Sequence, residues 1–109
     1  MKPAFKTVFK ILSRADWDAA SDAGVFIGAA VDLKDGFIHL SAEDQWRETL
    51  RLHFAGQTDL VLVAFEAEAL GQALKWEPSR GGALFPHLYG PLPTALAVSV
   101  RPVAAGGGA

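Results

Sequence analysis

The chain contains no cysteine among its 109 residues. Disulfides, thiol nucleophiles and thiolate metal sites are therefore excluded, and a reducing compartment fits the composition. An excess of charge of one sign is also missing, because 10 basic and 12 acidic residues leave a formal net charge of -2. This balance supplies no general attraction for nucleic acid or for an acidic membrane surface, so we expect neither as a partner.

Long apolar runs are absent as well. No stretch approaches the roughly 18 apolar residues of a membrane-spanning helix, and the opening MKPAFKTVFKILS lacks the apolar centre of a signal peptide. We therefore expect a cytoplasmic protein. The chain also has no G-x-S-x-G elbow, P-loop, G-x-G-x-x-G or H-E-x-x-H motif, and no ligand spacing that predicts a metal site.

The chain does have enough apolar material for one core, since 50% of its residues are hydrophobic and 20% are charged. We expect a single domain over residues 1–103 and a flexible, glycine-rich tail over residues 104–109. The hydrophobic patterns change type along the chain instead of repeating, which favours a small α+β domain with mainly antiparallel strands and two to three helices.

Local patterns predict the main elements of this domain. Ser13 is a candidate N-cap for a helix that ends before Gly24, and Ser41 for a second helix that runs towards Gly56. The segment GAAVDLKDG is expected to be a loop, and KWEPSRGGALFPHLYGPLP to be dominated by turns. Strands are predicted at TVFKIL (7–12), GFIHLS (36–41), LVLVAF (60–65) and LAVSVR (96–101), with LVLVAF central and covered on both faces.

The strand GFIHLS mixes polar and apolar side chains in an ordered way. Side chains alternate across a strand, so Phe37, His39 and Ser41 share one face while the aliphatic side chains between them face the other way. The mixed face either lines a site or leaves His39 hydrogen-bonded within the core. Ser41 has a second explanation as a helix cap.

A similar alternation recurs in FPHLYG, where Phe85, His87 and Tyr89 share a face if the segment is extended. Pro86 removes a backbone donor, which predicts an edge strand or a loop. A histidine on an edge beside a cleft is well placed to reach a ligand, whereas in the alternative interpretation these side chains only stabilise the loop.

The segment WEPSRGG supplies further candidates just upstream. Trp76 can stack on a ring, Glu77 can accept protons or hydrogen bonds, and Arg80 can grip an anion in a bidentate fork. Lys10 lies in the first strand, where it either reaches water from a sheet edge or faces the same pocket as His39. The third histidine, His53, is interpreted as a surface residue near the end of a helix.

The segments FKIL, DW, DGFIHLS, DLVLV and WEPSRGGALFPHLYGPL resemble the family called domain of unknown function 952, over roughly Val8 to Leu92. More distantly, the first forty residues are similar to the ADP-ribosyltransferase superfold, especially its RNA 2'-phosphotransferase branch. That resemblance implies split antiparallel sheets that form a cleft, with His39 and Ser41 on a cleft-lining strand, and NAD as the cofactor. The chain departs from the pattern at Lys10, where the superfold carries a histidine, and no carboxylate matches the catalytic glutamate.

Two hypotheses of function follow. In the first, the cleft binds a nucleotide- or phosphate-containing small molecule, and His39 and His87 act as its hydrogen-bonding or acid–base groups, as in an enzyme. The ligand would be held by side chains from four parts of the chain: Lys10, Ser41, Trp76, Glu77, Arg80 and Tyr89. In the second, the domain is a non-catalytic interaction or sensor module that keeps the fold without the chemistry. The sequence identifies no partner protein.

Overall fold

The computed structural model describes residues 6–104, with the exception of the Arg80 side chain. Within this range the chain forms nine strands and four α-helices. The strands are β1 (Thr7–Ser13), β2 (Val25–Phe26), β3 (Ile38–His39), β4 (Ser41–Ala42), β5 (Leu60–Glu66), β6 (Leu74–Pro78), β7 (Leu84–Leu88), β8 (Leu92–Pro93) and β9 (Ala97–Val103). The helices are α1 (Arg14–Ala23), α2 (Ala30–Asp35), α3 (Trp46–His53) and α4 (Ala67–Leu70).

Strand β5 lies inside a four-stranded antiparallel sheet with the order β4-β1-β5-β9. Its residues from Leu60 to Phe65 are all buried, because both faces of the sheet are covered. On one face the odd-numbered residues of β5 pack with Trp17 of α1, and on the other face the even-numbered residues pack with Trp46 and Leu50 of α3. This arrangement confirms the predicted central strand and explains why LVLVAF carries no polar residue.

A second antiparallel sheet has the order β3-β7-β6, and β2 pairs with β8 in a short two-stranded ladder. The two larger sheets share one piece of chain: β3 pairs with β7, and β4, which follows after Leu40, pairs with β1. We call the place where this piece changes sheets the split. The structure thus confirms a small α+β domain built from antiparallel sheets.

Several local predictions are confirmed. The Ser13 hydroxyl accepts a hydrogen bond from the Asp16 amide at 3.0 Å and caps α1. Gly24 ends the helix in the left-handed conformation, with φ of 86°. The last strand pairs antiparallel with β5, and its residues 98–102 are all exposed. Among the described residues, no helix is both long and apolar enough to cross a bilayer.

Other local predictions are wrong. The segment GAAVDLKDG contains α2, because the Asp32 carboxylate caps its own helix by accepting the Ala29 amide hydrogen at 2.8 Å. As a result the described residues hold four α-helices, not two to three. Ser41 does not cap α3, which begins five residues later; Ser41 lies in β4, and its hydroxyl donates to Thr49 Oγ1 at 3.2 Å.

The turn-rich segment forms the hairpin of β6 and β7, and Pro86 lies in the middle strand of its sheet, not at an edge or in a loop. The proline is tolerated because pairing with β3 stops beside it: the Leu40 amide donates to the Pro86 carbonyl at 3.0 Å, and no return bond is possible without a proline N–H. The predicted tail lies almost wholly outside the described residues, except for Ala104.

Candidate functional site

The split leaves part of β1 without a neighbouring strand. Strand β4 covers β1 only at Val8 and Phe9. The register that pairs Phe9 with Ser41 would place His39 opposite Ile11 if the sheet continued, but His39 pairs instead with His87 of β7. The segments around Ile11 and His39, which a continuous sheet would join by hydrogen bonds, are therefore separated.

Two buried side chains satisfy the backbone of His39 at the split. Its N–H donates to Asp32 Oδ1 at 3.0 Å, and its carbonyl accepts from Lys10 Nζ at 3.0 Å. Lys10 Nζ also donates to Asp32 Oδ2 at 3.0 Å, and both residues are buried, with 7% and 2% exposed. The Lys10–Asp32 ion pair thus takes the place of the missing ladder, and Lys10 does not reach water from a sheet edge.

Burial and charge act in opposite directions on this pair. Burial lowers the pKa of Lys10, and the attraction of Asp32 offsets this only in part. Burial acts to raise the pKa of Asp32, but Lys10 and the hydrogen bonds from His39 and Ala29 outweigh it and hold that pKa below its ordinary value. Asp32 is therefore an ionised acceptor.

The ring of His39 lies between two carboxylates. Nδ1 is 2.6 Å from Asp32 Oδ1, and Nε2 is 2.9 Å from Asp35 Oδ2. A neutral imidazole donates from only one nitrogen, so both contacts are hydrogen bonds only when the ring carries a proton on each nitrogen. The side chain is 32% exposed, so the ring is held from behind while part of it remains accessible.

His87 is held by a single carboxylate. Its Nδ1 lies 2.7 Å from Glu77 Oε1, which also accepts the Tyr89 hydroxyl at 2.7 Å. The hydrogen bonds from His87 and Tyr89 lower the pKa of Glu77, and the bond to Glu77 raises the pKa of Tyr89. An ionised Glu77 fixes the proton of His87 on Nδ1, whereas Nε2 has no hydrogen-bond partner among the described residues.

The two imidazoles meet, with ring centroids 5.6 Å apart. Phe37 packs against both of them, stacking on His87 at 4.1 Å and contacting His39 at 4.6 Å. Tyr89 adds a third contact to Phe37 at 5.2 Å. The alternation inferred from the sequence therefore brings the polar residues of β3 and β7 to one face.

Both imidazoles line a pocket of about 740 Å³ at the split. The predicted residues Lys10 and Ser41 line it too. His53 is exposed, as predicted, and also borders the pocket. All three histidines of the chain thus border one pocket. Aromatic and polar side chains complete its walls, among them Phe9, Phe54, Phe85, Ser13, Thr49 and Gln57.

The backbone of Ile11 adds a donor and an acceptor to the pocket. At the end of the β1–β5 ladder, the Arg14 amide donates to the Asp59 carbonyl at 2.8 Å, so even-numbered residues of β1 bond to β5. The N–H and C=O of Ile11 therefore point the other way, towards the uncovered edge. They have no partner among the described residues, and Ile11 lines the pocket.

The remaining predicted residues differ in position. Trp76 follows the opposite alternation to Glu77, so it lies on the core-facing side of β6, packs against the buried cluster and carries Lys6 Nζ 5.1 Å from its ring. The Arg80 side chain lies outside the described residues, although the neighbouring Ser79 lines the pocket. The sequence analysis missed Asp32, whose only local signal was its position three residues after Ala29, the residue that precedes a short helix.

Comparison with known proteins gives a family but no activity. Residues 11–100 match the family described as "Protein of unknown function (DUF952)". The crystal structure of protein CC0527 from Caulobacter crescentus is 55% identical, covers 93% of this chain and 89% of its own, and has a TM-score of 0.89.

Two further structures of CC0527 agree. A crystal structure of its double mutant is 53% identical with a TM-score of 0.89, and a solution NMR structure is 55% identical with a TM-score of 0.82. Each match covers 93% of this chain, together with 89% of the double-mutant chain and 87% of the chain in the NMR structure. No curated protein shows significant similarity to the sequence. The match over residues 11–100 and the likeness to CC0527 show that the chain belongs to the DUF952 family.

Proposed function

We propose that the pocket binds a small molecule of the nucleotide type, which contains a phosphate, and that His87 is its acid–base residue. The observation that carries the proposal is the position of His87: Glu77 holds Nδ1, and the ring borders a pocket while Nε2 has no partner among the described residues. An imidazole oriented by a carboxylate at one nitrogen accepts or donates a proton at the other.

The walls of the pocket support a ligand of this kind. Its volume of about 740 Å³ suits a small molecule. Phe54 and Phe85 offer flat apolar surfaces for a ring, and Ile11 offers the adjacent donor and acceptor that match the edge of a base or an amide. The hydroxyls of Ser13 and Thr49 are polar groups of the kind that contact phosphate.

The distant resemblance to the ADP-ribosyltransferase superfold makes NAD one ligand to test. In that interpretation Lys10 replaces the histidine of the first strand, but its ammonium is already bound by Asp32 and the His39 carbonyl. NAD is therefore one member of the ligand panel and not the basis of the proposal. The cytoplasmic location stays a prediction, and so does the expectation that neither nucleic acid nor a membrane is a partner.

A second candidate function is a non-catalytic sensor or interaction module. One observation favours it: both ring nitrogens of His39 contact carboxylates, as in a structural residue. In this case the pocket binds its ligand without changing it.

The experiment measures melting temperature and NMR shifts with AMP, ADP-ribose and NAD, and follows each mixture for product. We expect one of these ligands to raise the melting temperature, and His87→Gln to abolish product formation. Glu77→Gln should reduce the rate, because it weakens the hold on Nδ1, whereas the exposed Glu66→Gln is the matched control.

The outcomes separate the two functions. Product that forms with the wild type and is lost in His87→Gln supports the enzyme. A ligand that binds without product contradicts acid–base catalysis and supports the sensor. If none of the three ligands shifts either measurement, the proposed ligand class is wrong.

A further inference from the structure

The two carboxylates at His39 differ in accessibility. The side chain of Asp32 is 1% exposed and accepts hydrogen bonds from Lys10, His39 and Ala29. The side chain of Asp35 is 39% exposed, and its only ion-pair partner among the described residues is His39 Nε2. Asp32 is therefore a fixed part of the fold, whereas Asp35 can leave His39 and be hydrated.

Asp35 also lies near the pocket. It follows Val31 by four residues, and positions four apart lie on the same side of a helix. Val31 lines the pocket, as does His39 itself. Asp35 is not itself a lining residue, so its contact with Nε2 lies beside the pocket, and a bound molecule can reach the ring because His39 lines the pocket.

We infer that His39 is the anion-binding residue of this pocket, and that the Asp35 carboxylate occupies the position taken by the ligand's anionic group. The inference rests on the proposed function, since it requires a ligand with a phosphate. It also goes beyond it, because it assigns the phosphate contact to His39 Nε2 and gives Asp35 the role of a displaceable competitor.

Charge and geometry both support the exchange. A hydrogen bond from a histidine ring N–H to an oxyanion is strengthened by the charge of the oxyanion, and a phosphate offers more charge and more acceptor oxygens than one carboxylate. An exposed ion pair contributes little to stability, so its replacement costs little. Lys10 cannot take this role without leaving Asp32, because its ammonium is bound on two sides.

The test compares Asp35→Asn with the wild type, using pyrophosphate and AMP as probes and adenosine as the probe without phosphate. We expect Asp35→Asn to bind pyrophosphate and AMP about threefold to tenfold more tightly, which corresponds to removal of a weak competing ion pair. Adenosine affinity should not change. Asp22→Asn is the matched control for lost negative charge, because Asp22 is also exposed to solvent and lies in the last turn of α1.

Two further measurements make the test specific. In a His39→Gln background the gain from Asp35→Asn should vanish. In the unmodified protein, pyrophosphate should shift the ring signals of His39 in NMR spectra, a readout that does not depend on the folding of any variant.

Each result decides one point. The inference is overturned if the wild type and Asp35→Asn bind pyrophosphate and AMP with equal affinity, or if the gain in affinity persists in the His39→Gln background. Either result leaves the proposed function standing. Unchanged His39 signals at saturating pyrophosphate also overturn it. If neither pyrophosphate nor AMP binds any form of the protein, the proposed ligand class fails as well.

Discussion

Asp32 is the residue on which the site depends most. One carboxylate accepts from the Lys10 ammonium, from both the amide and the ring of His39, and from the Ala29 amide. These bonds link β1, α2 and β3 and keep the two parted strands satisfied. A buried ion pair contributes little net stability compared with apolar residues, but removal of one partner leaves an unpaired charge in the interior.

Asp32→Asn should therefore lower the free energy of unfolding by about 3–5 kcal/mol, because Lys10 is left buried and unpaired. Lys10→Met should also destabilise, but the double variant should be more stable than the sum of the two losses predicts, since neither charge then lacks its partner. Urea denaturation of the four proteins measures this coupling.

The control for this cycle is Arg14→Met, which breaks the exposed ion pair with Asp59 at 3.6 Å. Its effect should be no more than about 1 kcal/mol. Strict additivity of the Lys10 and Asp32 substitutions would show that the two side chains act independently, against the geometry.

Among the elements, β4 is held at the split by the side chain of Gln45, which makes hydrogen bonds of the kind that a neighbouring strand would make. Gln45 Oε1 accepts the Ala42 amide hydrogen at 2.9 Å, and Gln45 Nε2 donates to the Leu84 carbonyl at 2.8 Å. The side-chain amide thus joins β4 to β7 beyond the point where Pro86 ends direct pairing with Leu40. Lys10, Asp32 and Gln45 together replace the backbone bonds that the divergence of the sheets removes.

Gln45→Ala should cost about 1–3 kcal/mol in unfolding free energy, from two hydrogen bonds worth about 0.5–1.5 kcal/mol each. Hydrogen exchange at the Ala42 amide should also become faster, since its acceptor is lost. Gln72→Ala, at an exposed glutamine, is the matched control and should change neither quantity. Unchanged exchange at Ala42 would show that Gln45 does not join the strands.

Elements with local causes were the ones that the sequence predicted well. The cap at Ser13, the left-handed Gly24 and the apolar run of β5 each depend on neighbours in the chain. The predicted start of α3 was wrong because Ser41 is held in β4 by pairing with β1, which is distant in the sequence. Helix α2 was missed because Asp32, unlike serine at Ser13, caps from inside the helix.

At the scale of the whole molecule, the pocket gathers residues from distant parts of the chain. His39, His53 and His87 come from β3, α3 and β7 and border one hollow. Alternation within two short segments was enough to place His39 and His87 on one face. It could not reveal Ile11 or His53, because their position depends on where β4 stops covering β1 and on how α3 packs across that gap.

The stability of the whole domain should fall in acid because Asp32, at the split, becomes protonated. The folded state holds the pKa of Asp32 below its ordinary value, so Asp32 stabilises the fold above about pH 4 and loses this contribution as the pH falls further. Glu77 acts in the same direction, but it is exposed and screened.

Melting temperatures measured from pH 7 down to pH 3 should therefore drop steeply below about pH 4 in the wild type. The drop should be shallower in the Lys10→Met/Asp32→Asn double variant, because it lacks the Asp32 carboxylate that takes up the proton, and unchanged in Asp22→Asn. An equally steep drop in the double variant would place the acid sensitivity elsewhere in the molecule.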